Sequence, residues 1–262
     1  MQDKYAGDVG DFGKFTLLNQ LLRANGRQLR LGINWYRVTR REPPNNDGRH
    51  ISYLNPGNSK AEQFRACAPE TYLKLKTLVD GDDRSIRSLE RSMVLPKHTI
   101  FFSKELPYES AVLAQRIIER ETWFSESLTV LKSADIIFLD PDNGILTDQV
   151  KKTQTRSIKY AFTDEVCGYA KLCDLVVVYN HRDRSPMDNY LQKFTNIQGQ
   201  LGLSSGLRIL RFKRVSVRDY AFFFKRGASS TVRVLFDRLA ATPYDFLFEE
   251  LKVDRQHGCG CA

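Results

Sequence analysis

A short apolar run that ends abruptly in polar residues constrains the fold of this chain more than any other feature. Residues Asp135 to Leu139 are mostly apolar and β-prone and contain neither Gly nor Pro, which predicts a buried strand inside a parallel sheet. The next five residues, 140–144, read Asp-Pro-Asp-Asn-Gly and have the composition of a turn. Ligands of open α/β sheets bind at the carboxyl ends of strands, so this acidic loop predicts a functional site.

Strand-like and helical segments alternate along most of the chain. Extended segments are predicted at 29–35, 50–54, 99–103, 135–139 and 174–180, with a pair of close strands at 207–213 and 219–225. Helices are predicted from Asp11 to Gly26, in two segments of 59–93 separated by a break at 81–83, and over 110–123, 124–131, 163–171, 186–200, 229–240 and 243–252. The pattern predicts one Rossmann-like α/β domain over 1–262, with a mostly parallel sheet, helices on both faces, a C-terminal antiparallel hairpin and a small helical insertion at 55–97.

Composition and targeting signals narrow the class of protein. Hydrophobic residues make up 42% of the chain and charged residues 27%, which are values typical of globular proteins. The N-terminus lacks the apolar core of a signal peptide, and no run of about 18 apolar residues is present to span a membrane. The five cysteines, which include Cys259 and Cys261 in the C-terminal tail, show no zinc-type pairing. We therefore expect reduced thiols, a cytoplasmic location and no membrane partner.

The charge balance favours a polyanionic partner. Forty Lys and Arg residues against 31 Asp and Glu residues give a formal net charge of +9, which favours nucleic acid, either RNA or DNA. Trp35 and Tyr36 stand beside the basic loop that follows the first strand and offer rings for base stacking. A solvated basic surface without a ligand is the alternative. The basic residues cluster in the hairpin and in that loop: Arg208, Arg211, Lys213, Arg214 and Arg218, and Arg37, Arg40 and Arg41.

Two short motifs resemble those of the rRNA adenine-N6 methyltransferases that act on large-subunit RNA. Residues 4–15 are similar to the N-terminal signature of that family, in which a Gly-bearing loop opens a helix that contains Asp and Lys, here Asp11 and Lys14. Phe15 replaces the second His of the signature. Residues 139–144 are similar to the Asp-Pro-Pro-Tyr type motif of amino-methyltransferases, with Asp140 and Pro141 matching. Both motifs are also similar to those of a related, uncharacterised family, which implies no activity.

The resemblance implies an S-adenosylmethionine-dependent transferase that methylates an amine of a nucleic acid. The catalytic residues it implies are Asp140, Asn143 and Asp142, because acceptors on this loop would hold the N–H bonds of the target amine. The cofactor-binding candidates are Lys14, Tyr36, Ser103 and Glu105, of which Glu105 suits the ribose hydroxyls. No resident metal is expected in this interpretation. The chain departs from the family at 34–39, where no glycine follows the first strand.

Two other interpretations stay open. Asp140 and Asp142 form an Asp-x-Asp pair, which binds Mg²⁺ or Mn²⁺ against phosphates in other proteins. With Asp8 or Asp11 and with His181 nearby, this pair describes a metal-dependent nuclease or a nucleotide-sugar transferase. The missing Gly-rich turn favours instead a catalytically inactive Rossmann-like module that binds nucleic acid.

Overall fold

The computed structural model describes residues 1–24, 28–38, 48–146, 150–202 and 205–253. In these ranges the strands form a seven-stranded sheet and a separate two-stranded sheet. The larger sheet contains β1 (Leu31–Asn34), β2 (Ile100–Phe102), β3 (Ile136–Leu139), β6 (Leu175–His181), β7 (Ser205–Phe212), β8 (Arg218–Lys225) and β9 (Phe248–Leu251). The smaller sheet contains β4 (Gly144–Ile145) and β5 (Tyr160–Ala161).

The larger sheet has the order β2-β1-β3-β6-β8-β7-β9. Strands β2, β1, β3 and β6 are parallel, whereas β8, β7 and β9 add in antiparallel pairs. This arrangement confirms the predicted α/β fold with a C-terminal antiparallel hairpin. Asn34 pairs with Leu139, and Leu139 pairs with Val178. The carboxyl ends of β1 and β3 therefore meet at one edge, and β6 continues past them.

Helices cover both faces of the sheet. Along β3 the side chains alternate, so Ile136 and Phe138 join one core while Ile137 and Leu139 join the other. Helices α1 to α4 and α8 supply residues to the first core, and α5 to α7 supply the second. The helices are α1 (Val9–Arg23), α2 (Ala61–Cys67), α3 (Pro69–Asp80), α4 (Ile86–Arg91), α5 (Leu113–Leu131), α6 (Thr163–Leu172), α7 (Met187–Leu201) and α8 (Ser229–Ala240). In the described ranges, none of them has the length and apolar character that a membrane span requires.

Three predicted elements are wrong in detail. The segment 50–54 contains a 3-10 helix at Ser52–Leu54 instead of a strand. The helices predicted at 110–123 and 124–131 are one continuous helix, α5, because no Gly or Pro interrupts the pattern. The segment 243–252 is not an α-helix: it contains a 3-10 helix at Tyr244–Phe246, and then Phe248–Leu251 pairs with the outer edge of β7, where Phe248 packs against Phe212. Gly26, Cys259 and Cys261 lie outside the described residues.

Candidate functional site

The loop that follows β3 is fixed by backbone hydrogen bonds on three sides. The Asp140 N–H donates to the Asn34 carbonyl at the end of β1 (3.0 Å), and the Asn143 N–H donates to the Lys159 carbonyl (2.8 Å). The Asn143 carbonyl accepts from the N–H of His181, at the end of β6 (3.2 Å). Hydrogen bonds to the end of β1, to Lys159 and to the end of β6 thus hold residues 140–143 in one conformation.

A buried hydrogen-bond network holds the C-terminal end of the same loop, at Gly144 and Ile145. Gly144 has φ +99°, and a Cβ at this position would lie 2.2 Å from Asn180 Oδ1, so only glycine fits. Asn180 Oδ1 accepts from the N–H of Ile145 (2.7 Å), and its Nδ2 donates to the Tyr190 hydroxyl (2.9 Å). Tyr190 in turn donates to Asp219 (2.6 Å). The network ties the turn to β6, α7 and β8, which makes the loop a rigid platform.

Three buried charged side chains meet where the loop faces α1. The Lys14 ammonium lies 2.8 Å from Asp11 Oδ1 and 2.6 Å from Asp140 Oδ2, and each of these side chains is at most 4% exposed. Asp8 caps α1 by accepting from the N–H of Asp11 (3.0 Å), while Asp11 accepts from the N–H of Gly7 (2.9 Å). One ammonium is therefore shared between two carboxylates on different elements.

The environment sets the ionisation of this triad. Burial raises the pKa of Asp140, and the neighbouring Lys14 charge only partly opposes that shift. The pKa of Asp11 is raised by burial in the same way. Burial disfavours the Lys14 ammonium, but the two carboxylates outweigh it and raise the pKa of Lys14. Lys14 thus stays protonated and orients Asp140 as a positioning residue, while Asp140 holds its proton more tightly than an exposed aspartate does.

Acceptors on the same edge of the sheet surround one amino group. The Met1 nitrogen donates to the carbonyls of Trp35 (3.0 Å), Tyr36 (3.1 Å) and Asp140 (3.1 Å). The same nitrogen lies 2.8 Å from Asp142 Oδ1. Burial opposes ionisation of Asp142, but the Met1 charge outweighs it and lowers the pKa of this carboxyl. These four acceptors, which we call the ammonium cradle, have the chemistry that binds a primary ammonium.

The triad, Met1 and two of the four cradle residues, Asp140 and Asp142, line a cleft of about 270 Å³ between α1 and the ends of β3 and β6. Arg218 forms another wall: its guanidinium lies 3.5 Å from Asp8, and a Cβ at Gly10 would come within 2.7 Å of it. Four carboxylates in the cleft face the three cations of Lys14, Arg218 and Met1, and the imidazoles of His50 and His181 line it as well. The charged and polar side chains lining it include Tyr5, Asp8, Asp11, Lys14, His50, Asp140, Asp142, Asn143, Tyr179, His181, Ser216 and Arg218.

The structure brings together the predicted catalytic residues and one of the four predicted cofactor residues, Lys14. Asp140, Asp142, Asn143 and Lys14 all line the cleft. The side chain of Tyr36 instead lies in the core on the other face, where its hydroxyl donates to Glu165 (3.1 Å). Only its carbonyl reaches the site, through the ammonium cradle.

The other two cofactor candidates follow β2 and do not line this cleft. The Ser103 hydroxyl donates to Glu90 on α4, and Glu105 is exposed on the next loop. The sheet order explains this separation, because β2 lies at the far edge and β1 stands between it and β3.

Two arginines of the basic cluster that the sequence predicts in the hairpin are paired with carboxylates. Arg208 makes two bonds to Glu250 on β9 (2.7 and 2.6 Å), and Arg211 makes two to Asp219 (2.8 and 3.0 Å). Arg214 donates to the Phe246 carbonyl (2.6 Å). Strand pairing thus places carboxylates beside Arg208 and Arg211 and neutralises their charge, whereas Arg214 meets a backbone carbonyl. Arg40 and Arg41 lie outside the described residues.

Sequence reasoning missed the part of the cleft that β6 and β8 supply. Tyr179 on β6 and Arg218 on β8 line it, although neither was assigned to the site; His50, from the segment before the 3-10 helix at Ser52–Leu54, lines the cleft too. The signal that could have found this part of the cleft is the pairing of β6 with the hairpin, because that pairing sets His181 opposite Arg218. Asp8, Asp11 and His181 do line the cleft, as the metal-dependent interpretation expects. However, no group of three or more His, Cys, Asp or Glu residues in the described ranges is arranged to hold a metal ion.

Comparison with known proteins adds little to this picture. No protein-family model and no curated protein matches the sequence. Among solved structures, the chain is similar to the crystal structure of protein LPL1258 from Legionella pneumophila str. Philadelphia 1, of the family DUF519. The match has a TM-score of 0.46 and 11% sequence identity, and it covers 94% of this chain and 97% of the other. At so low a TM-score the likeness supports no conclusion about activity or ligand.

Proposed function

We propose that the protein is an S-adenosylmethionine-dependent methyltransferase that acts on an amine of a nucleic acid. The observation that carries this proposal is the Asp140 carboxylate, which Lys14 fixes in the cleft at the carboxyl end of a parallel strand. An amine nitrogen has to present its lone pair to the methyl donor, so acceptors must hold its N–H bonds. Asp140 and the rigid loop around it supply such acceptors.

The electrostatics of the cleft fit an amine better than an anion. Its four carboxylates outnumber its three cations by one, a balance that favours an amine or a cationic methyl donor over a phosphate. A nitrogen that gains a methyl group must lose a proton. Asp140 lines the cleft and would take that proton, and burial, which raises the pKa of its carboxyl, favours the protonated form. Lys14 acts only by orienting Asp140.

The ammonium cradle fits the amino-acid end of S-adenosylmethionine. That cofactor carries an α-ammonium, which is the same chemical group as the one the cradle holds at Met1. The Trp35, Tyr36 and Asp140 carbonyls, with Asp142, would hold it in exchange for the Met1 amino group. When bound, the cofactor supplies the electrophilic methyl group. Roles for the side chains of Tyr36, Ser103 and Glu105 toward the cofactor stay predictions.

The net charge of +9 supports a polyanionic substrate. Because Arg208 and Arg211 are paired with carboxylates, we assign backbone contacts to exposed basic residues near the ends of β3 and β6. Lys151, Arg156 and Arg184 are exposed on the segments that follow these strands. Basic residues there would contact phosphates while the acidic cleft receives a base. A cytoplasmic location is part of the same proposal.

A second candidate is a catalytically inactive module that binds nucleic acid. The observation in its favour is that the protein's own Met1 fills the ammonium cradle. In this case cofactor would not displace Met1, and no methyl transfer would occur. We rank the metal-dependent alternative lower, because Asp140 and Asp142 already pair with Lys14 and Met1.

The test is transfer of a labelled methyl group from S-adenosylmethionine to RNA and DNA oligonucleotides. Asp140→Asn keeps the shape of the side chain but removes its charge, and it should reduce transfer at least about 100-fold, as expected for loss of a proton acceptor. Asp174→Asn is the matched control, because Asp174 is exposed at the amino end of β6, on the opposite edge of the sheet. Full activity of Asp140→Asn, or no transfer by the wild-type protein, would contradict the proposal.

A further inference from the structure

The turn between β7 and β8 holds a valine in an unfavourable backbone conformation. Val215 has φ +65°, in the left-handed region. A β-branched side chain crowds the backbone there, so such a residue is a genuine outlier. Tyr36, Asp82 and Met93 share positive φ values in the described ranges, but none of them is β-branched. Strain of this kind persists only where surrounding contacts enforce it.

Hydrogen bonds on both sides of Val215 enforce the conformation. The N–H of Lys213 donates to the Leu247 carbonyl (2.9 Å), and the Arg214 side chain donates to the Phe246 carbonyl (2.6 Å). On the other side, the Val217 carbonyl accepts from the N–H of Arg182 (3.3 Å). The turn is therefore a stiff projection held by the segments on either side of it.

This projection stands at the cleft and presents apolar side chains to solvent. Ser216 lines the cleft, while Val215 is 65% exposed and Val217 is 38% exposed. The exposed basic residue Arg184 lies two residues beyond Arg182, on the segment that bonds to the turn. An apolar side chain can enter a stack of bases, and nearby basic residues can hold the backbone phosphates meanwhile. The turn and the basic segment bonded to it have this combination of side chains.

We propose that the Val215 turn is a wedge that inserts into the base stack of a nucleic acid and occupies the space that an extruded base leaves. The proposal rests on the proposed function and adds the substrate class: a base in a stacked or paired strand, turned out of the stack into the cleft. Asp140 is only 3% exposed, so a base inside a duplex cannot reach it. Enzymes that act on such bases extrude them, and an apolar side chain inserted in the stack lowers the cost of doing so.

The experiment uses short RNA and DNA duplexes in which one adenine is replaced by 2-aminopurine, whose fluorescence rises when it unstacks. Saturating wild-type protein should raise the fluorescence several-fold. Val215→Asn, which tolerates positive φ and places a polar group at the tip, should lose most of that rise while still binding. Val234→Asn is the matched control, since Val234 is an exposed valine on α8. Val215→Gly serves as a second variant, and melting curves show that each variant is folded.

Methyl transfer separates this proposal from the proposed function. Val215→Asn should retain transfer to single strands and lose at least ten-fold on duplexes. Equal fluorescence and equal duplex transfer by Val215→Asn and wild type would overturn the wedge and leave the methyltransferase assignment standing. Unstacking without any methyl transfer would overturn the assignment and leave the wedge. A wild-type protein that binds no duplex would overturn the wedge, and transfer to single strands would then decide the methyltransferase assignment.

Discussion

Replacing Lys14 by methionine tests the buried triad most severely. The change keeps the length of the side chain and removes its charge, so Asp11 and Asp140 lose the ammonium that lies 2.8 and 2.6 Å from them. Breaking a buried ion pair by removing one partner costs about 3–5 kcal/mol, because the remaining charge stays buried without compensation. We expect a loss of that size, with a fall in melting temperature on the order of 10 °C.

The loss should depend on pH. Without Lys14, the folded-state pKa of each carboxyl rises further above its unfolded value, so the folded protein binds more protons than the unfolded chain does. Stability then falls as pH rises through the folded pKa values. The difference between Lys14→Met and wild type should therefore be larger at neutral pH than in mild acid. Lys14→Met combined with Asp140→Asn should regain part of the loss, since one buried charge has gone.

Urea denaturation followed by circular dichroism measures these differences. Lys76→Met is the matched control: its ammonium pairs with Asp80 across one turn of α3, but both side chains are substantially exposed. Such a pair contributes only about 0.3–0.5 kcal/mol. If Lys14→Met lost no more stability than Lys76→Met, or if its loss did not change with pH, the triad would not be buried and coupled as described.

Three further predictions follow from the site. Gly144→Ala should lower the free energy of unfolding in a urea titration by at least about 1–3 kcal/mol, because it forces an L residue into φ +99° and against Asn180. Gly199→Ala is the control: Gly199 lies in α7 with open space around it, so the change should raise the free energy of unfolding by about 0.5–1 kcal/mol. The stability that Asp142 contributes is present above its usual pKa of 3.8 and is lost as pH falls through its lowered folded pKa, so Asp142→Asn should flatten the acid limb of the stability curve. Affinity for RNA or DNA should fall with salt by a slope of about 0.7–0.9 per phosphate contact; Arg184→Ala should reduce that slope, Arg208→Ala should not, and salt-independent binding would contradict a phosphate interface.

The sequence predicted those parts of the fold that local pattern decides. The apolar runs that become β3 and β6 were placed to within about a residue, and α1 was recognised from its spaced apolar residues. The segment 248–251 was missed because a strand there depends on the free edge of β7, which no local pattern reveals. The segment 50–54 was also predicted incorrectly, because no local pattern reveals that the chain forms a 3-10 helix there.

The candidate site likewise contains some residues that local sequence predicts and others that only the tertiary fold brings together. Asp140, Asp142 and Asn143 were predicted because they follow a core strand, and Lys14 because it belongs to the N-terminal motif. The partnership of Arg218 with Asp8 joins residues 210 positions apart, and only the strand order brings them together. Tyr36 was misplaced because the direction of its side chain, two residues after the end of β1, depends on a backbone with φ +46°.

Binding of S-adenosylhomocysteine tests the central claim most directly. The cleft, with its ammonium cradle and Asp140, should bind this product of methyl transfer, and a ligand at 100 times its Kd raises the free energy of unfolding by about 2.7 kcal/mol. We therefore expect S-adenosylhomocysteine to raise the melting temperature of the wild-type protein and Asp142→Asn to weaken that effect. Under the same conditions Mg²⁺ or Mn²⁺ with nucleotides should leave the melting temperature unchanged. No shift with S-adenosylhomocysteine at near-millimolar concentration, together with a clear shift with a divalent cation and nucleotide, would contradict the methyltransferase assignment.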